Sequence, residues 1–199
     1  YFIGPLFTDF CPGPHPGALD WYTVSLGILA LAVLAAHGAM FLRWKTSGDL
    51  AARATRLAKI IWPIVAVLAI VVGFETWIVR PEPLVSLGDR PLAWVLPLAA
   101  ITGGIGVFIA LRRGRELGGF IASCVVIAAL LGTVAAAVYP HVLASSVDPA
   151  WDLDVEGAAN GHHTLAIGLV WWIPAITLAI GYFVYVFRSF RGKVELDDH

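Results

Sequence analysis

Residues 21–42 read WYTVSLGILALAVLAAHGAMFL, 22 residues without a charge, held between Asp20 and Arg43. A helix rising 1.5 Å per residue needs about 20 apolar residues to cross a bilayer, so this stretch alone is long enough to span one. Four more stretches follow the same rule. Residues 60–79 are interrupted only by Glu75, 91–111 carry no charge, and 118–139 and 164–187 lie in longer uncharged runs that stop at Pro140 and Arg188. The whole chain agrees: 199 residues are 59% hydrophobic and 14% charged, with a mean hydropathy of +0.81. That is too little charge to cover a water-soluble surface. The expected fold is an all-α membrane bundle of five helices, forming a single transmembrane domain over 1–199.

The charge balance excludes nucleic acid as a partner, since 13 Lys plus Arg stand against 14 Asp plus Glu. Two cysteines, Cys11 and Cys124, are too few for a disulfide framework or a structural zinc site. The distribution of cations is uneven. Arg43, Lys45, Arg53, Arg56 and Lys59 follow the first span, Arg112, Arg113 and Arg115 follow the third, and Arg188, Arg191 and Lys193 follow the fifth. Eleven of the 13 cations thus share one side, and only Arg80 and Arg90 stand opposite. The positive-inside rule places the N-terminus outside and the C-terminus in the cytoplasm. Trp21, Tyr22, Trp77, Trp94, Tyr139, Tyr182 and Tyr185 fall near span ends, where amphipathic rings settle at headgroup depth.

Inside the spans, Ala32 with Ala36, Ala35 with Ala39, and the run Gly103, Gly104 and Gly106 predict close helix contacts. Pro63, Pro97 and Pro174 are expected to bend their helices. Chemistry could come from His37, Glu75, His141, His162 and His163. A bis-histidine haem needs two imidazoles at one depth on facing helices. His37 lies five residues from Leu42, roughly 8 Å inside the inner boundary, whereas the other three lie beyond the outer span ends. This chain therefore offers no haem pair, and packing or a hydrogen bond to a neighbouring helix is the plainer role for His37. Adjacent His162 and His163 point in different directions, and Asp148, Asp152, Asp154 and Glu156 lack the spacing of a calcium loop. They read as a solvated acidic loop. No catalytic, cofactor-binding or metal-binding residue is expected, and Glu75 and His37 are the functional candidates. Glu75 sits four residues before Val79, about 6 Å below the outer boundary. Arg80 is some 140° round the helix from it, so a partner would be Arg90 or a group on another helix or subunit.

The order Gly17-Ala18-Leu19-Asp20-Trp21-Tyr22-Thr23, His37-Gly38-Ala39, Leu42, Lys45-Thr46 and Gly48-Asp49-Leu50 resembles the midpoint signature of subunit II of the cytochrome bd-type quinol oxidases. Trp94, Pro97, Tyr139-Pro140, Ser145-Ser146, Thr164-Leu165, Pro174, Tyr182, Tyr185 and Phe187 continue the resemblance along essentially the whole chain. Gly161-His162-His163 stands where the family often has serines, and Glu75 is foreign to its span. The resemblance makes the chain the C-terminal part of the subunit. It implies a heterodimer of the bacterial inner membrane that oxidises ubiquinol or menaquinol and reduces oxygen to water in aerobic respiration. Two haems b, haem d and the quinol loop would belong to subunit I. Subunit II would support the fold, with a structural quinone, small accessory membrane subunits and bilayer lipid as further neighbours. Half of a secondary transporter, or a structural subunit of another membrane complex, would also suit five helices with proline-broken spans.

Overall fold

A computed structural model describes residues 20–79, 88, 90–143, 153–159 and 161–193. Five helices among them are long and apolar enough to cross a membrane. They are α1 (Trp21–Lys45), α2 (Gly48–Val79), α3 (Val95–Arg113, preceded by a 3-10 turn Pro91–Trp94), α4 (Glu116–Val138) and α5 (His162–Ser189). The described residues fall into two compact units, one running to Tyr139 and one from Pro140 to Lys193.

The first unit is two helical hairpins. Residues 46 and 47 alone separate α1 from α2, which forces the two helices antiparallel. Thr46 ends α1 by returning both its N–H (2.9 Å) and its Oγ1–H (2.7 Å) to the carbonyl of Leu42. Gly48 then takes φ 62°, a left-handed turn that residues with a Cβ rarely adopt. Gly114 does the same at the end of α3, with φ 68°, and leads directly into α4. Helix α2 starts twelve residues earlier than its uncharged stretch. The basic segment 48–59 is helical, with Asp49 and Arg53 paired at 2.7 Å one turn apart. Both side chains are 75% exposed, so the pair contributes about 0.3–0.5 kcal/mol at most.

Small residues let these helices approach. Ala36, Ala39 and Met40 of α1, Ala58, Trp62 and Val65 of α2, Val107 and Leu111 of α3 and Val126 of α4 form one buried cluster. The expected pair Ala35 with Ala39 is split, because Ala35 faces out while Ala36 and Ala39 face the core. The three glycines of α3 divide similarly. A Cβ on Gly103 would lie 3.0 Å from Val126 Cγ2 and 3.2 Å from the Ala122 carbonyl, and one on Gly106 would lie 3.3 Å from Ala122 Cβ, whereas Gly104 has nothing within 4 Å. Pro97 falls in the first turn of α3, where no intrahelical N–H bond is lost, so the predicted kink has no cause there. Helix α2 and helix α5 run through Pro63 and Pro174.

In the second unit, a short antiparallel ribbon pairs β1 (His141–Leu143) with β2 (Leu153–Asp154), and α5 follows. Asp154 closes the next turn by accepting from the Gly157 N–H, while Glu156 is exposed. Asp148 and Asp152 of the acidic stretch, Arg80, Ser145, Ser146 and Cys11 lie outside the described residues.

The glycine geometry gives a direct test. Gly103→Leu should lower the stability of the folded subunit by about 1–3 kcal/mol, the usual effect of overpacking, and Gly104→Leu should leave it unchanged. Thermal unfolding of the solubilised protein measures both; equal losses would mean that Gly103 is not the contact point.

Candidate functional site

Polar side chains inside α1, α2 and α4 gather at two levels. Ser25 and His37 mark them, twelve residues apart on α1 and so roughly 18 Å along its axis.

At the start of α1, Asp20 is buried as the N-cap, its carboxylate accepting from the Thr23 N–H at 2.8 Å while Thr23 Oγ1 accepts from the Asp20 N–H at 3.0 Å. This reciprocal cap fixes where α1 begins and so the height of Tyr22 and Ser25. Thr76 gives its proton to the Val72 carbonyl at 2.7 Å, which leaves Tyr22 to donate its phenolic proton to Thr76 Oγ1 at 3.1 Å. One turn on, Ser25 Oγ donates to Glu75 Oε1 at 3.2 Å. The acid therefore has its partner on a neighbouring helix. Arg90 is engaged elsewhere: its Nη1 donates to the Tyr139 carbonyl at 3.0 Å and its guanidinium lies 4.6 Å from the Tyr139 ring, capping the end of α4. Glu75 Oε2 is buried with no partner among the described residues.

Near the other end of α1, Ser123 of α4 is fully buried and donates to its own Phe120 carbonyl at 2.6 Å. Its one proton being committed there, His37 Nδ1–H is the donor across the helices, at 2.8 Å to Ser123 Oγ. The imidazole stacks on Phe120 with 5.1 Å between centroids, and Phe41 and Trp44 close round the same ring at 5.6 and 5.1 Å. His37 thus makes the interhelical hydrogen bond expected of it. It is the single histidine among the described residues of its unit, so among them no second imidazole shares its depth. No group of three His, Cys, Asp or Glu side chains able to hold a metal occurs among the described residues. His163 is exposed in the second unit. The described residues of the first unit hold no pair of imidazoles for a haem.

Two further buried polar atoms have no partner among the described residues, Arg43 Nη1 and Trp62 Nε1. Arg43 is 5% exposed, on the core-facing stripe of α1 with Ala36, Ala39 and Met40. Trp62 lines a cavity of about 480 Å³ between α2, α3 and α4. Sequence reading passed over Ser25, Thr76, Ser123 and Trp62. The signal for the first three was their being hydroxyls within apolar spans, the residues that bond across membrane helices.

The His37–Ser123 bond can be measured by a double-mutant cycle with His37→Ala and Ser123→Ala. A coupling near 0.6 kcal/mol is expected from comparable membrane bonds. A coupling of zero would show that the two side chains do not act together in the folded protein.

Comparison with known proteins gives the site its setting. Residues 2–190 match the family described as cytochrome bd terminal oxidase subunit II. A "Cytochrome bd ubiquinol oxidase subunit 2" of Bacillus subtilis (strain 168) is 26% identical over 210 residues, covering 98% of this chain and 60% of the relative. A "Probable cytochrome oxidase subunit 2" of Haemophilus influenzae is 21% identical over 205 residues, covering 89% of this chain and 53% of the relative. The chain thus spans between about half and three-fifths of the length of these relatives. These matches support the oxidase reading and not a transporter half or a subunit of another complex. With its five membrane-length helices, this is a multi-pass protein of the bacterial inner membrane. A family match over nearly the whole chain, on helices that place the signature residues Asp20, Thr23, His37 and Thr46 at caps and helix contacts, makes this chain a member of the cytochrome bd terminal oxidase subunit II family.

Proposed function

We propose that this chain is a non-haem-ligating scaffold of a quinol:oxygen oxidoreductase. Its partner, subunit I, carries two haems b and haem d, oxidises quinol and reduces oxygen to water. The observation that carries this reading is the family match over residues 2–190, and His37 agrees with it, having no second histidine at its depth among the described residues of the unit to complete a haem pair. The chemistry therefore falls to the partner, and this chain contributes packing and no catalytic residue. The large apolar side chains exposed along all five helices leave surface for subunit I, for small accessory membrane subunits and for lipid. The eleven cations that share one side favour a cytoplasmic turn between α1 and α2, a cytoplasmic turn between α3 and α4, and a cytoplasmic C-terminus.

Glu75 is the acid that a pure scaffold does not require. A carboxylate within a span is expensive unless it is paired, and Ser25 satisfies only one of its oxygens. It serves as an anchor between α1 and α2 whose second oxygen takes a donor from the assembled complex.

The function is tested by co-expression. The chain purified with subunit I should show b- and d-type haem bands, and the chain alone should show none. A haem bound by the isolated chain and lost on His37→Ala would overturn the assignment of roles. Glu75→Gln should leave assembly and the haem spectrum intact and lower quinol oxidase turnover by less than about tenfold, 1.4 kcal/mol. Loss of the haem bands would make Glu75 an assembly residue; a much larger fall in turnover with haems intact would place it on the reaction path.

A further inference from the structure

Helix α2 has two faces. Ala54, Ala58, Trp62, Val65 and Val72 are buried against the rest of the first unit. On the opposite side, Arg56, Ile60, Pro63, Ile64, Val67 and Val71 recur at helical spacing and are all exposed. This stripe changes chemistry once along its length. From Ile60 to Val71 it is apolar over eleven residues, roughly 16 Å at 1.5 Å per residue and about half of a 30 Å hydrocarbon core. That is the depth of one leaflet.

Above Ile60 stand two exposed cations, Arg56 four residues back and Lys59 one residue back. Asp49 is taken by Arg53 at 2.7 Å, and neither Arg56 nor Lys59 has an acidic partner among the described residues. Three residues apart, their Cβ atoms lie about 5–6 Å from one another, close enough for both charges to meet one phosphate. Side chains on a helix lean toward its N-terminus, which in α2 is away from the apolar stripe, so both charges rise toward the membrane–water boundary. A backbone acceptor joins them. Pro63 lies inside the helix and has no N–H, so the Lys59 carbonyl is left without its helical donor beside an exposed ring.

We propose that this face of α2 binds one anionic phospholipid whose headgroup carries a hydroxyl, as phosphatidylglycerol does. The phosphate sits between Arg56 and Lys59, the hydroxyl donates to the Lys59 carbonyl, and an acyl chain lies along Ile60, Ile64, Val67 and Val71. The helix presents these partners in the order in which the lipid needs them. A zwitterionic phospholipid matches less well, since its cationic group would stand beside Arg56 and Lys59. An acidic water-soluble peptide would use the cations and leave the apolar stripe uncovered.

The experiment uses the assembled complex in phosphatidylcholine nanodiscs doped with phosphatidylglycerol that carries a photoreactive diazirine in its acyl chain. Labelling should map to residues 60–71 of α2. Arg56→Gln combined with Lys59→Gln should lower it about thirtyfold, the joint effect of two cations on an anionic lipid. The hydroxyl is tested by competition. Unlabelled phosphatidylglycerol should compete about fivefold better than phosphatidylmethanol, which is anionic and lacks the hydroxyl, the worth of one neutral hydrogen bond. Pro63→Ala returns an N–H to the Lys59 carbonyl and keeps both charges, so it should erase that preference while labelling persists. Co-elution with the partner subunit identifies assembled material, and should the double charge variant fail to assemble, the competition decides alone. Equal labelling in wild type and double variant, competitors of equal strength in the wild type, or no labelling at 60–71 because another subunit covers the face would each overturn the proposal. The site needs no redox chemistry, so its outcome is independent of the oxidase reading.

Discussion

The bilayer core offers no water, so each polar group within a span must find its partner inside the protein. That requirement decides what this chain can be. Its backbone meets the need by being helical, and most of its hydroxyls meet it locally. Thr46, Thr55, Thr76, Thr133 and Thr177 each return a proton to the carbonyl four residues back, and Ser123 does so three residues back. A hydroxyl whose proton is committed in this way can still accept, and both interhelical bonds to Thr76 and Ser123 use that remaining capacity. The polarity of these contacts follows from the local bond, which makes Tyr22 and His37 the donors.

Such bonds average only about 0.6 kcal/mol each in membrane proteins, too little to hold a bundle together. Close contact between small residues must supply the rest. The division of labour on α3 shows how: Gly103 and Gly106 bring α4 in until a Cβ would collide with it, while Gly104, one position on from Gly103, turns to open space. With α3 drawn toward α4, and α1 joined to α2 through a two-residue turn, the seam between α2 and α3 is the one left loose. The cavity between α2, α3 and α4 is a consequence of where the glycines stand.

How much of this the sequence discloses depends on which physical signal each feature leaves. The five spans are legible because burial in lipid forbids charge over a fixed length. The true start of α2 is not, because a helix that leaves the membrane need not change its backbone: residues 48–59 keep helical hydrogen bonds while carrying Arg53, Arg56 and Lys59 into water. Charge marks the membrane boundary, not the helix boundary. Pro97 misleads for the converse reason, since the same residue bends a helix interior and suits a first turn, and only the start of α3 at Val95 decides which. The strands at 141–143 and 153–154 are too short to show alternation.

The family signature is legible as a pattern but not as a set of roles, and the structure shows why. Asp20 and Thr23 form a reciprocal cap, Leu42 and Thr46 end α1, Gly48 turns the chain and Asp49 pairs one turn on. These residues begin a helix, end it and start the next in register. A signature of this kind fixes the heights of the side chains between its members, and His37 meets Ser123, and Ser25 meets Glu75, because α1 starts and stops where it does. The side chains that keep one buried atom without a partner among the described residues, Arg43, Trp62 and Glu75, are neither caps nor turns. Desolvating them runs against the stability of this unit, and a guanidinium, which stays charged, is the most expensive of the three. A bundle held by glycine and alanine contacts alone would fold better without them. Their presence therefore fits selection for contacts beyond those this unit makes with itself.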